Sequence, residues 1–228
     1  MAQTTGAMSA KSGIVEITTV QTLTDAIVAG AASLIPVDST TGFLAGDTIE
    51  YMLVGGVIEQ KVIDSIDPGV SITITATVGA GGIADNEQVN KIVNISGAAN
   101  SVTVSGGNRM AGDGFTADGD AALITSGKRE PVEVTFRGLY TEAAGAPEFF
   151  EELAAVYESG AGAGLRWSPS AYDATGKKRF WTTNTLGSYI QIVPITSWNY
   201  PSLDFASGDP IMVELTLRSP KIGTTDAT

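Results

Sequence analysis

Apolar and polar residues alternate from Val132 to Tyr140, with Val132, Val134, Phe136 and Tyr140 on one side and Glu133, Thr135 and Arg137 on the other. This period of two predicts a half-buried strand, with Gly138 as the gap in its buried row. Beyond Gly145 and Ala146 the period changes. Phe149, Leu153, Val156 and Tyr157 stand at i, i+4, i+7 and i+8, one face of a helix, with Phe150 and Ala154 beside it. Pro147 suits the first helical position, where its missing N–H is not needed, and Glu148, Glu151 and Glu152 put negative charge at the positive end of the helix dipole. Gly160 stands where a left-handed C-cap closes a helix. The pattern predicts one amphipathic helix over residues 147–158, packed on strands through Phe149, Leu153, Val156 and Tyr157.

Elsewhere the apolar residues come in short runs rich in Val, Ile and Thr, broken by Gly, Asp and Asn, which predicts a mainly β protein with many turns. Twelve small and polar residues precede a first strand over residues 13–20. Residues 24–91 read as self-contained, with strands over 33–37, 48–54, 57–66 and 70–78. Gly42 to Asp47, the Gly55-Gly56 pair and Asp67-Pro68-Gly69 supply the turns between them. Phe43, Ile49, Tyr51, Val62, Ile66, Ile72 and Ile74 are enough for a compact core, so this stretch is expected to be a small all-β module inserted into a larger domain. After it come strands over 92–96 and 101–105, a polar, Gly-rich loop over 106–128, strands over 164–168, 178–183, 188–198 and 211–218, and a loose tail after Pro220. The expected division is an arm and first strand over 1–23, the module over 24–91, and a β-sandwich with its helix over 92–228.

Charge and residue types narrow the chemistry. The 25 acidic against 13 basic residues give 13 − 25 = −12, the wrong balance for a generic nucleic-acid binder, whose affinity comes from Lys and Arg on phosphates. The basic triplet Lys177, Lys178 and Arg179 reads as a solvated hairpin end. The chain has no Cys and no His, which removes disulfides, thiolate or imidazole zinc sites, and Ser-His-Asp or Cys-His catalysis. Asp113, Asp118 and Asp120 resemble a calcium loop but lack its closing Glu and ligand spacing. The glycines at 79–82 and 160–164 are followed by no Lys-Ser/Thr pair, so they read as turns. Glu151 and Glu152 point in different directions from a helix and make a poor acid/base pair. No enzyme, cofactor or metal is expected. The opening residues lack a basic region followed by an apolar core, and no apolar run nears the ~20 residues of a membrane span, so an unexported, non-membrane chain is expected.

Two resemblances follow from particular residues. Gly30 to Leu34, Val37 to Phe43, Gly46 to Ile49 and Ala84 to Val89 look like a small β-barrel module that recurs in phage and bacterial surface proteins. The order of arm, strand pair, polar loop, EPVEVTFRGLY, short helix, GLRWS, and then IQIVPITSWNY and DPIMVELTLRS resembles phage major tail proteins, the tail tube subunits of long-tailed phages, over residues 1–23 and 92–228. The resemblance implies a β-sandwich or barrel flanked by one helix. It implies a virion protein, assembled in the host cytoplasm, that stacks as rings of six into a hollow tube with itself and other tail proteins as partners and passes double-stranded DNA without reading its sequence. Under that reading the arm and the loop supply inter-subunit contacts, with Met1, Lys11, Gly106, Arg109, Asp113, Asp118 and Lys128 as candidates. The module 24–91 departs from the simplest members and is expected on the outside of the tube. Six subunits would carry 6 × −12 = −72, so acidic residues are expected to outnumber basic ones on the lumen wall. Two other classes stand beside this one: a carbohydrate-binding adhesin using Trp167, Trp181, Trp198 and Tyr200, and an enzyme working with paired carboxylates alone.

Overall fold

A computed structural model describes residues 13–115, 121–140, 146–169, 178–183, 190–201 and 210–227. The first half of the chain supplies β1 (Ile14–Thr18), β2 (Gln21–Leu23), β3 (Leu34–Pro36), β4 (Thr48–Met52), β5 (Ile58–Asp67), β6 (Ser71–Ile74) and β7 (Gln88–Asn94). Next come β8 (Ala99–Gly106), β9 (Arg109–Phe115), β10 (Ala121–Arg129), β11 (Val132–Leu139) and the single helix α1 (Ala146–Glu158). The rest is β12 (Gly162–Ser168), β13 (Lys178–Thr183), β14 (Val193–Asn199), β15 (Met212–Ser219) and β16 (Ile222–Ala227). The protein is mainly β with one helix. Its strands pair antiparallel in the order β3-β6-β5-β4-β7-β1-β12-β14-β15-β11-β8, with β2 also on β7, β13 on β12 and β16 on β13.

Two strands change partners along their length. The first half of β7 pairs with β2 and β4, and only Val93 and Asn94 pair with Ile17 and Glu16 of β1. The first residues of β12 pair with β14 while Arg166 and Trp167 pair with β13. Such forks let one sheet wrap around more than one core, and two apolar clusters result. One gathers Ile35, Phe43, Ile49, Tyr51, Ile72 and Ile83 among others, all between Val28 and Val89. The other gathers Ile17 from β1, Val134 and Phe136 from β11, Leu165 from β12, Val213, Leu215 and Leu217 from β15, and Phe149, Phe150 and Leu153 from α1. The two clusters share no member; we call their surroundings the module and the body.

The amphipathic patterns account for the body. In β11 the inward row Val132, Val134 and Phe136 is buried while Glu133 and Arg137 are exposed. Gly138 continues that row because a Cβ there would sit 2.8 Å from the Phe136 ring, so the ring fills the gap left by the missing side chain. α1 lies against β12 and β14. Its end is closed at Gly160, whose φ of +73° is a left-handed cap, with the Gly160 and Ala161 N–H groups donating to the Tyr157 and Val156 carbonyls.

Three expectations are corrected. The polar stretch 106–128 contains two strands, β9 and β10, paired with each other from Phe115 and Ala121 to Arg109 and Arg129. Its Gly, Ala and Asp residues hide strands because backbone pairing, not apolar alternation, holds a hairpin of this kind. The tail after Pro220 contains β16, paired with β13 from Ile222↔Thr183 to Ala227↔Lys178. Val62, expected in the module core, is 41% exposed: it pairs with Thr48 of β4, and its neighbour Ile63, on the alternate face of β5, is the residue that joins the core.

Candidate functional site

The main path of the sheet ends on β8, an eight-residue strand paired with β11 from Gly106↔Val132 to Ala99↔Gly138. Among the described residues no strand pairs with its other edge. Asn100, Ser101, Thr103, Val104 and Ser105 are exposed, and Val104 keeps 46% of its surface in water. Gly106 and Gly107 turn the chain directly into β9, and the β9–β10 hairpin pairs with no further strand. Isolated two-stranded hairpins are marginal in water, and among the described residues this one has no third strand. Arg109 stands opposite Arg129 in register at its base.

The candidate inter-subunit residues fall as follows. Gly106 ends β8, Arg109 and Asp113 lie on β9, and Lys128 lies on β10. The structure therefore sets these four on one continuous edge and hairpin. Met1, Lys11 and Asp118 lie outside the described residues. On the helix, Leu153 is fully buried, Phe149 is 8% exposed and Tyr157 packs against the body core at its rim. Val156 is half-buried and does not join that core. It lines an open groove of about 480 Å³ between α1 and the module, shared with Val20, Phe43, Leu44 and Ala155.

That groove leads to a cation. Lys91, on the side of β7 that carries both apolar cores, places Nζ 3.3 Å from Asp47 and 3.7 Å from Glu152 of α1. Its Nζ also donates to the Gly42 carbonyl, and Thr19 Oγ1 donates to the same Glu152 at 2.8 Å. A second cation occupies the other side of the sheet. Arg166 of β12 is fully buried, with Nη2 2.5 Å from Glu16 of β1 and 2.6 Å from Glu50 of β4. The Arg166 Nε–H supplies the directional hydrogen bond to Glu16, and the guanidinium lies over the Phe180 ring at 4.7 Å. Burial alone would push the Arg166 guanidinium down, but the carboxylates of Glu50 and Glu16 outweigh it and hold it above its usual value. Glu50 also accepts from Gln60 Nε2, while its Oε1 has no hydrogen-bond partner.

Periodicity did not single out this triad. Glu16, Glu50 and Arg166 sit inside the runs IVEIT, TIEYM and GLRW, each a charge flanked by apolar strand residues that are buried or, for Trp167, half-buried. A charge held mid-strand with apolar neighbours on both sides is the signal that marks them, because such a residue is buried only when paired. Two buried carboxylates are also what the paired-carboxylate enzyme reading asks for. Here they share one guanidinium, and Glu50 and Arg166 expose no surface. The aromatic residues offered for sugar stacking are split: Trp198 is buried, Trp167 packs against the body core, and Trp181 and Tyr200 are exposed. Tyr200 hydrogen-bonds Glu158, which raises the phenol above its usual value. Among the described residues no group of three or more acidic side chains is placed to hold a metal, and no helix is long and apolar enough to cross a membrane.

No protein-family model matches this chain, and no curated protein matches it. Among solved structures it is similar, at 10% identity and a TM-score of 0.36, to a chain in the six-fold symmetrised cryo-EM structure of the anti-feeding prophage (AFP) baseplate, over 82% of this chain and 96% of that one.

Proposed function

We propose that this chain is a structural subunit of a phage-type tail, and within that class the tail tube protein, polymerising through its own β edges into stacked rings around a conduit for DNA. The observation that carries the proposal is the edge of β8, open among the described residues and continuous through Gly106 and Gly107 with a hairpin that has no third strand among them. An extended edge and an unsupported hairpin are both completed by backbone pairing with another chain, which asks little of side-chain sequence. The residue order described for the resemblance to tail tube subunits supports the same role. No catalytic or cofactor role is assigned.

Electron microscopy of the concentrated protein tests this. Rings or hollow tubes are expected, and a protein that stays monomeric at every concentration, with β8 and the hairpin intact, would overturn the reading. In a tube structure the lumen is expected to carry more Asp and Glu than Lys and Arg. At roughly 0.15 M salt the screening length is about 8 Å, so such charge acts near the wall and limits adhesion without propelling DNA.

A further inference from the structure

We infer that Arg166 is a positioning residue: its buried contact with Glu50 fixes the angle at which the module sits on the body. The backbone link between the two is narrow. β7 belongs to the module over Gln88 to Ile92, where it pairs with β2 and β4, and joins the body through the residue pairs Asn94↔Glu16 and Val93↔Ile17, with Ile95 beyond them donating its N–H to the Val15 carbonyl. A ladder that short leaves twist between the halves, and the two apolar cores contribute no shared buried residue to resist it. Glu16 and Arg166 face each other within the body, in register on β1 and β12. Glu50 comes from the module, separated from Arg166 in the sheet order by β7 and β1. The ion pair therefore spans the boundary, on the side opposite both cores.

The charge count suits a device that depends on geometry. Two carboxylates share one guanidinium, so moving Glu50 away from Arg166 strands a buried carboxylate that already has one oxygen without a hydrogen-bond partner. Buried charged groups are strongly disfavoured without a partner, whereas apolar residues of similar volume would tolerate a range of angles. The polar residues around the site do not replace the guanidinium. Gln60 donates to Glu50 from within the module, and Gln88 and Asn90 of β7 donate to the Ile190 carbonyl while Gln191 donates to Gln88, neutral bonds that cross the boundary but supply Glu50 with no counter-charge. Lys91 spans the same boundary on the other side, but its partner Glu152 is exposed enough for water to share the load.

This inference is independent of whether the chain assembles, and it is tested on the full-length monomer. Because the chain has no Cys, Asp64→Cys in the module and Glu133→Cys in the body, both exposed, take spin labels at those two places alone. Double electron–electron resonance is expected to give one narrow distance. Glu50→Gln, which leaves the Glu16–Arg166 pair intact, is expected to broaden it. The neutral triple variant Glu16→Gln, Glu50→Gln, Arg166→Met is expected to broaden it further while its thermal unfolding midpoint stays near that of the parent, a combination that a purely stabilising role would not produce. A broad distribution in the parent, or an unchanged narrow one in Glu50→Gln, would overturn the inference, and Glu50→Gln decides it alone if the triple variant does not fold.

Discussion

The main path of the sheet, from β3 to β8, has two ends, and they are finished differently. At the module end β3 is three residues long, includes Pro36, which has no N–H to offer, and is covered: the Asp25 N–H donates to the Pro36 carbonyl and Thr24 bridges to Val37. At the body end β8 is eight residues, ANSVTVSG, with no proline and no charge, and nothing among the described residues covers it. Proteins that must remain monomeric shorten, charge or cap their edge strands. One end of this molecule has been treated that way and the other has not. Under the proposed assembly, the difference puts the expected association surface on the body, next to the hairpin, and away from the module.

The comparison breaks most decisively if β8 is made to resemble a guarded edge. Thr103→Lys with Ser105→Lys puts two charges on exposed positions of β8, opposite Thr135 and Glu133 of β11. Folding stability is expected to change by no more than about 0.5 kcal/mol, as for surface substitutions generally. Assembly is expected to be lost, as read by sedimentation and microscopy; tubes that form as before would remove β8 from the interface. The next largest effect concerns the core that holds the edge in place. Leu153→Ala, at a fully buried position of α1, is expected to cost about 2–5 kcal/mol in denaturant unfolding. Unchanged stability would contradict the packing of α1 described above.

The difference between the two ends was only partly legible in the sequence. Val132 to Tyr140, the helix around Leu153 and the row Val213, Leu215, Leu217 announce themselves because each buries one face, and periodicity reports burial. The strands of the hairpin do not, since a Gly- and Asp-rich segment such as RMAGDGF pairs through its backbone. β16 has the same character, with IGTTDA placed by its ladder to β13. The open edge is less visible still: that β8 has a neighbour on one side only is a property of strand order, set by pairings as distant as β1 with β12. The triad of Glu16, Glu50 and Arg166 is hidden for the same reason, as three charges from strands far apart in sequence.

Smaller effects sharpen the comparison from the guarded end. Tyr51 is buried in the module, and burial first, then the Glu59 carboxylate that accepts its hydroxyl at 3.2 Å, push its phenol well above the ordinary 10.0. The folded chain thus holds the phenol proton more tightly than the unfolded chain does. The stabilisation is complete below the ordinary value and is lost as pH climbs above it. Tyr51→Phe is expected to cost about 1 kcal/mol near neutrality, the scale of one hydrogen bond, and to fall away less steeply than the parent above pH ~10 in urea titrations. Parallel pH profiles would refute the burial of that phenol. Smallest is Lys91→Met, expected to cost about 1 kcal/mol or less at low salt, with the gap from the parent narrowing as ionic strength rises, because Asp47 and Glu152 both reach water.

Hydrogen exchange on β8 and β9, before and after assembly, tests the open edge most directly. In the dispersed monomer those amides of Ala99–Gly106 that do not face β11, and those of Arg109–Phe115, are expected to exchange quickly, while Val134, Phe136 and Leu215 in the paired strands are protected. On concentration into tubes the β8 and β9 amides are expected to become protected and the others to stay as they were. Full protection of β8 already in the monomer, or no gain in protection on assembly, would contradict the account.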